Sequence, residues 1–223
     1  MAEAVLRDSV DNKYPSPFVA VDVVVFRVVE GKLQVLLIER RKPPFQNTWA
    51  LPGGFIGLDE ALEEAACREL REETGVSVTL IEQLYTFGDP GRDPRGRVIS
   101  VAYLALLPPG EGAPQAGDDA VRAAWFPVMA LPALAFDHGE MVGRAVERLR
   151  VKLQIEDAAF HLLPSEFTLS ELQSVWEAVL GVSLDKRNFR RRVLNSGQVT
   201  EIGRRRSGEG RPARLYRYHP RRK

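Results

Sequence analysis

Glu69, Glu72 and Glu73 stand at i, i+3 and i+4, a spacing that puts three carboxylates on one face of a helix. Like charges so placed repel. The cluster is therefore either a solvated acidic face or the seat of something positive. A hard divalent cation is the simplest such occupant, because it takes oxygen ligands and brings phosphate oxygens with it. The flanking residues supply the helix. Leu62, Ala65, Ala66 and Leu70 recur at helical spacing, Asp59 is a suitable N-cap and Gly75 a suitable stop. Gly53 and Gly54 follow Trp49–Pro52 and give the preceding loop unusual backbone freedom.

Gly54, Glu60, Arg68, Glu69, Leu70, Glu72, Glu73, Gly75 and Val76 together resemble the Nudix box at every fixed position. The resemblance implies a hydrolase that cleaves a nucleoside diphosphate linked to another group. It also implies a cation, Mg²⁺ or Mn²⁺, held by the Gly53 carbonyl, Glu69 and Glu73, with Glu72 as a further ligand. Arg68 would orient Glu69, Glu60 would steady the box, and Gly54 falls among the substrate-binding positions. Nudix enzymes often take their general base from a later loop. Here the acidic candidates are Asp118 and Asp119, whose alternative role is an exposed turn. Arg92, Arg95 and Arg97 share one Gly/Pro loop, either a solvated turn or a set of bidentate phosphate contacts. The run Arg92-Asp-Pro-Arg95-Gly-Arg97 resembles loops of Nudix proteins that handle ADP-ribose, which makes that nucleotide sugar the expected substrate or effector. Trp49, Phe87, Tyr103 and Trp125 are either core residues or surfaces for the adenine.

A second chemistry lies at the other end. Residues 181–223 hold fourteen basic and three acidic residues, +11 by count, which leaves −10 for residues 1–180 of a chain whose net charge is +1. Such a split argues for two domains, the basic one facing a polyanion. Thr168 and Glu171 form a capping box before an apolar face of Leu169, Leu172, Val175, Trp176 and Val179. Asp185 caps a second helix, Lys186–Leu194, with Phe189, Val193 and Leu194 inward and Lys186, Arg187, Asn188, Arg190 and Arg191 outward. That is a helix-turn-helix pattern. Val199–Ile202 and Ala213–Tyr218 alternate as hairpin strands, and the loop between them carries Arg204, Arg205, Arg206 and Arg211 as a wing. Wing arginines would contact phosphates of double-stranded DNA while the helix reads base edges. A general basic patch for RNA is the alternative. The segment resembles the winged helix of Nudix-related transcriptional regulators of NAD biosynthesis, so two functions are implied, an active pyrophosphatase and an ADP-ribose sensor that regulates NAD genes. The box of such regulators is often degraded; here it is complete.

Strands must position these groups. Phe18–Val29 and Lys32–Glu39 are rich in β-branched residues and joined by a turn at Glu30-Gly31. Val76–Phe87, Val98–Leu107 and Ala123–Pro127 read as further strands, and Gly139–Gln154 as a closing helix with Val142, Ala145, Val146, Leu149 and Leu153 inward. The expected fold is α/β, with residues 1–17 a leader, 18–157 a Nudix α/β/α sandwich on a mixed sheet and 158–223 a small winged helix-turn-helix. His161 falls in the linker and is assigned no role. The single cysteine, Cys67, excludes an internal disulfide framework. No secretory leader and no membrane-length apolar run is present, so a cytoplasmic protein with no membrane partner is expected. A winged helix that reads a pseudo-palindrome implies a homodimer.

Overall fold

The computed structural model describes residues 16–112, 114, 120–155, 157–207 and 212–220. All of the expected leader except Ser16 and Pro17 lies outside that set, as do Arg211, Asp118 and Asp119. A seven-stranded mixed sheet organises the larger part, with β1 (Phe18–Val29) at its centre. β1 pairs antiparallel with β2 (Lys32–Arg40) and parallel with β6 (Val98–Leu106). β2 also pairs with β3 (Trp49–Ala50) and β7 (Ala120–Pro127), β1 pairs with β4 (Gly53–Phe55), and β5 (Ile81–Phe87) borders β6.

Strand alternation explains why both faces are covered. Val21, Val23 and Val25 point to one side, where Ala65, Ala66 and Leu70 of helix α1 (Leu62–Thr74) meet them. Val24, Phe26 and Val28 point to the other, against Met141, Val142, Ala145, Leu149 and Leu153 of helix α2 (His138–Ile155). A strand buried on both faces reads as an unbroken apolar run, as β1 does. The core beneath α2 continues without a break into Leu162, Phe167, Leu172, Val175, Val179, Phe189 and Tyr216. Those residues belong to helices α3 (Leu169–Leu180) and α4 (Lys186–Asn195), to the hairpin β8 (Val199–Arg206) and β9 (Ala213–Tyr218), and to the segment leading into α3. The C-terminal unit therefore shares its interior with the sheet. Arg150 of α2 also donates to the Val179 carbonyl at 3.0 Å. No helix among the described residues is long and apolar enough to cross a membrane.

Several boundaries differ from the sequence reading. Ala61, not Asp59, is the N-cap of α1. Gly57–Glu60 forms a turn closed by the Gly57 N–H donating to Glu60 Oε1 at 2.6 Å, so the helix starts two residues later. Glu64 Oε2 accepts from the Ala61 N–H at 2.9 Å. Gly75 ends α1 as expected, in left-handed conformation. β5 begins at Ile81 because Val76 turns into the core beside α1 instead of joining a ladder. The Gly53-Gly54 loop is itself a strand, since two glycines let it approach β1. β8 runs to Arg206, its register shifting between Glu201 and Arg205 around Gly203 at φ 70°, as a bulge allows. Arg204, Arg205 and Arg206 therefore lie on a strand rather than in the wing loop. Leu194 is 49% exposed, on the outer side of α4, whereas Phe189 is buried.

Candidate functional site

β4 lies beside β1 with Asp22 opposite Gly53 and Val21 opposite Gly54. That pairing is possible only without side chains. A Cβ on Gly53 would stand 2.2 Å from the Val21 carbonyl oxygen and 2.7 Å from Asp22 Oδ1, and one on Gly54 would stand 2.4 Å from Glu69 Oε1. The α1 carboxylates thus close directly onto the glycine strand. Gly53 N–H donates to Glu73 Oε2 at 2.9 Å.

Arg68 gathers the remaining acids of the box. Its Nε and Nη2 donate to Glu60 at 2.9 and 2.6 Å, and its Nη1 donates to Glu69 Oε1 at 2.8 Å and Glu72 Oε2 at 3.1 Å. The Arg68 hydrogen bonds and the Gly57 N–H hold Glu60 down at about 2. Glu69 is raised by burial, against the pull of Arg68. Glu73 is buried and pushed up to about 8, first by burial and then by the neighbouring Glu69 and Asp22 carboxylates. Glu72 differs, since its side chain is 54% exposed and turned toward Arg68.

A cleft of about 260 Å³ opens over this arrangement, lined by the carboxylates Asp22, Glu69 and Glu73 and by the guanidinium groups of Arg40, Arg92 and Arg95. Asp22 is held from three directions. Ser100 Oγ donates to it, His138 Nε2 lies 3.4 Å from Oδ1 and Arg92 Nη2 lies 3.8 Å from Oδ2. His138 Nδ1 accepts from the Leu51 N–H at 2.9 Å, so its proton sits on Nε2, facing Asp22. Burial pushes His138 below its ordinary value, and it is neutral.

The three loop arginines part company. Arg92 is buried and bidentate on Asp137 at 2.7 and 2.8 Å, so its fork is already occupied. Arg95 lines the cleft and pairs with Asp93 at 2.7 Å. Arg97 turns to the Gly88 carbonyl and does not line the cleft. Asp118 and Asp119 lie outside the described residues. Tyr103 and Phe87 are core. Trp49 packs edge-on against Phe126, and Trp125 lies under Arg27 with its Nε1 donating to the Gly112 carbonyl. The aromatics of the cleft are instead Phe55 and Phe136.

The donor set fits a hard cation. Glu73 is a buried carboxylate with one backbone donor, and Glu69, one helical turn before it, adds a second negative charge; the pair would be relieved by a positive ion. Among the described residues no three His, Cys, Asp or Glu side chains converge to hold a metal by themselves, so backbone oxygen and water must complete the shell. A larger cleft, about 1380 Å³, runs between β5, β6 and the C-terminal unit and contains none of the box residues.

At the C-terminal unit, Thr168 Oγ1 accepts from the Glu171 N–H at 3.1 Å and Glu171 returns the bond to the Thr168 N–H at 2.7 Å. Asp185 caps α4 through the Asn188 N–H at 2.8 Å. Lys186, Arg187, Asn188, Arg190 and Arg191 are all exposed along α4. Arg204 and Arg217 converge on Glu166 at 2.9 and 2.6 Å, and Arg206 pairs with Glu171. These arginines are thus anchored at the start of α3 while keeping at least two-fifths of their side chains exposed.

Asp22, Arg40, Asp93, Phe55, Phe136 and His138 escape the sequence reading. Asp22 carries the one usable signal, a carboxylate inside a run of valines.

Comparison with known proteins agrees with this layout. A family model for the NUDIX domain matches residues 17–145, and a model for the NrtR DNA-binding winged helix domain matches residues 159–218. The chain is 39% identical over 220 residues, 97% of its length and 88% of the relative's, to the ADPR responsive transcriptional repressor NtrR of Acinetobacter baylyi. It is 43% identical over 129 residues, 58% of its length and 73% of the relative's, to the ADP-ribose pyrophosphatase of Methanocaldococcus jannaschii. The crystal structure of Shewanella oneidensis NrtR complexed with a 27mer DNA superposes with a TM-score of 0.75 at 38% identity, covering 90% of this chain and 93% of that one.

Proposed function

The chain belongs to the Nudix family and joins a NUDIX domain to an NrtR-type DNA-binding winged helix, and from that membership we propose that it is an ADP-ribose pyrophosphohydrolase that also binds double-stranded DNA and regulates NAD metabolism. The observation that carries this reading is the cleft itself, where Glu69 and Glu73 close onto the Gly53-Gly54 strand and Arg40 and Arg95 line the same space. Carboxylates and guanidinium groups lining one cleft suit a cation-bound diphosphate.

Each residue has a defined task in this reading. Arg68 fixes Glu69, and the Gly53 N–H fixes Glu73. Arg40 and the half-exposed Arg95 orient the diphosphate, whereas Arg92, buried on Asp137, holds its loop in place as a positioning residue. Glu69, Glu73 and the Gly53 carbonyl would hold Mg²⁺ or Mn²⁺, which neutralises phosphate charge and lowers the pKa of an attacking water. Glu72 would reach the ion through water, since it points outward. Asp118 or Asp119 would serve as the base.

The exposed basic side of α4 and the arginines of β8 and β9 supply the DNA face, with two copies of the chain reading two half-sites. A second reading, a sensor without turnover, is favoured by the similarity over nearly the full length to a repressor. The complete box favours turnover. Calorimetry with ADP-ribose and Mg²⁺, followed by DNA binding with and without that ligand, tests the proposal. Micromolar binding that changes DNA affinity supports it; no binding to either partner refutes it.

A further inference from the structure

Glu166 lies where the C-terminal unit gathers its positive charge. It precedes α3 in a segment fixed to β9, since the Phe167 N–H donates to the Tyr216 carbonyl at 3.0 Å and the Tyr216 N–H to the Phe167 carbonyl at 2.8 Å. From that position its carboxylate accepts from Arg204 of β8 at 2.9 and 3.1 Å and from Arg217 of β9 at 2.6 Å. Its backbone carbonyl accepts from Arg206 Nη2 at 2.9 Å, and Arg206 Nη1 lies on Glu171. The Glu166 side chain is 20% exposed, whereas those of Arg204 and Arg217 are 68% and 56% exposed. The acid is thus the fixed partner and the arginines are the outer ones. The Arg217 hydrogen bond, followed by the charges of Arg204, Arg217 and Arg206, holds the Glu166 carboxyl below its ordinary range, so it is ionised at neutral pH.

The same edge carries the basic side of α4. Arg190 Nη2 donates to Ser170 Oγ at 3.3 Å, which joins α4 to the first turn of α3, where Glu171 holds Arg206. A carboxylate gripped by guanidinium groups at such an edge takes the place of a phosphate, because both anions offer paired oxygens to a planar fork. DNA therefore meets arginines that already have a partner. For a phosphate to take Arg204 or Arg217, the pair with Glu166 must break. The carboxylate left behind then repels the incoming phosphate.

We propose that Glu166, with Glu171 beside it, is an anionic competitor built into the DNA face, which lowers the sequence-independent part of DNA affinity by contesting the arginines of β8 and β9 with phosphate. This role rests on reading the basic surface of the C-terminal unit as a DNA-binding face. Exposed ion pairs are weak, so the pairs exchange rather than block. A duplex whose bases satisfy α4 offsets the cost of breaking them, and one that offers phosphates alone does not. Phosphate contacts position a protein on DNA and base contacts specify the sequence. With the phosphate contribution held down, base contacts from α4 supply a larger share of the affinity that remains.

The test follows binding of the full chain to a mixed-sequence DNA duplex by fluorescence anisotropy across a salt series. Glu166→Gln keeps the shape of the side chain and removes its charge. It is expected to bind roughly 2- to 30-fold tighter, the range for releasing two exposed ion pairs, and to steepen the salt dependence. Glu166→Ser, which also lacks the charge, should give the same result. Losing one negative charge raises DNA affinity even without releasing an arginine, so a second arm makes Glu166→Gln in an Arg204→Gln, Arg217→Gln background. There the gain is expected to be lost. An equal gain in both backgrounds marks a general charge effect and overturns the proposal. Wild-type binding that stays unchanged or weakens in both Glu166 variants also overturns it, and leaves the DNA face standing. A wild-type protein that binds no duplex even at low salt refutes the DNA reading as well.

Discussion

Replacing Glu73 by Gln should make the cation-free protein more stable at neutral and alkaline pH. Glu73 is pushed up to about 8 from an ordinary value of 4.5, by burial first and by Glu69 and Asp22 next. A carboxyl whose folded value lies above its unfolded value holds its proton more tightly when folded. Its contribution to stability is therefore fully present below pH 4.5 and is lost as the pH rises from 4.5 through 8. At pH 7 the loss is about 3 kcal/mol, from 1.36 kcal/mol for each pH unit above 4.5. For a chain of this size that corresponds to roughly 6–12 °C in melting temperature. Gln titrates nowhere in this range and keeps an oxygen to accept the Gly53 N–H. Melting curves of wild type and Glu73→Gln in chelator should therefore coincide near pH 4.5 and separate steadily up to pH 8, with the variant the more stable. Titrations remote from Glu73 are common to both chains and cancel in the difference. Adding Mg²⁺ at pH 8 should raise the wild type and leave the variant where it was. Parallel pH profiles, or a variant less stable than wild type at pH 8 in chelator, would show that burial of the Glu73 charge carries no such cost.

Other perturbations separate the proposed metal site, the proposed DNA face and the shared core. Gly54→Ala places a methyl 2.4 Å from Glu69 Oε1 and should cut Mn²⁺ affinity by about 10-fold or more, as displaced supports of metal ligands do; electron paramagnetic resonance titration reads it. Replacing Arg204, Arg205 and Arg206 together should weaken binding to all DNA sequences and flatten the salt dependence by about one unit of slope for each phosphate no longer neutralised. Unchanged binding would remove β8 from the DNA interface. Leu172→Ala opens the core that runs from α2 into α3 and should cost about 2–5 kcal/mol. Because that core is continuous, calorimetry should show one transition moving as a whole rather than a separate early melt of the C-terminal unit.

Whether a feature can be read from the chain depends on whether its signal is local. The box helix is legible because its acids, small residues and terminal glycine fall within one stretch, and Gly75 indeed ends it. The capping box at Thr168 and Glu171 is equally local. Asp22 is not, because its meaning arises only when β4 lies against β1 and α2 brings His138 across the sheet. Arg92 and Arg95 look alike in sequence, yet Asp137, 45 residues later, captures one of them. Phe55 and Phe136 carry no pattern at all, and only their tertiary packing with Arg95 sets them apart from Trp49 or Tyr103. Strand edges shifted where one glycine or one buried side chain decided the matter, as at Gly203 and Val76.

If this chain hydrolyses ADP-ribose in the cleft between β4 and α1, the reaction must release AMP in the presence of Mg²⁺ and depend on the carboxylates of α1. The assay compares AMP release by the wild type with that by Glu69→Gln and Glu73→Gln. Steady turnover by the wild type is expected, with a loss of at least about two orders of magnitude in both variants, as for removal of a catalytic electrostatic group. No AMP from a wild-type protein saturated with ADP-ribose and Mg²⁺ would contradict hydrolysis and leave the cleft as a sensor for the DNA-binding unit.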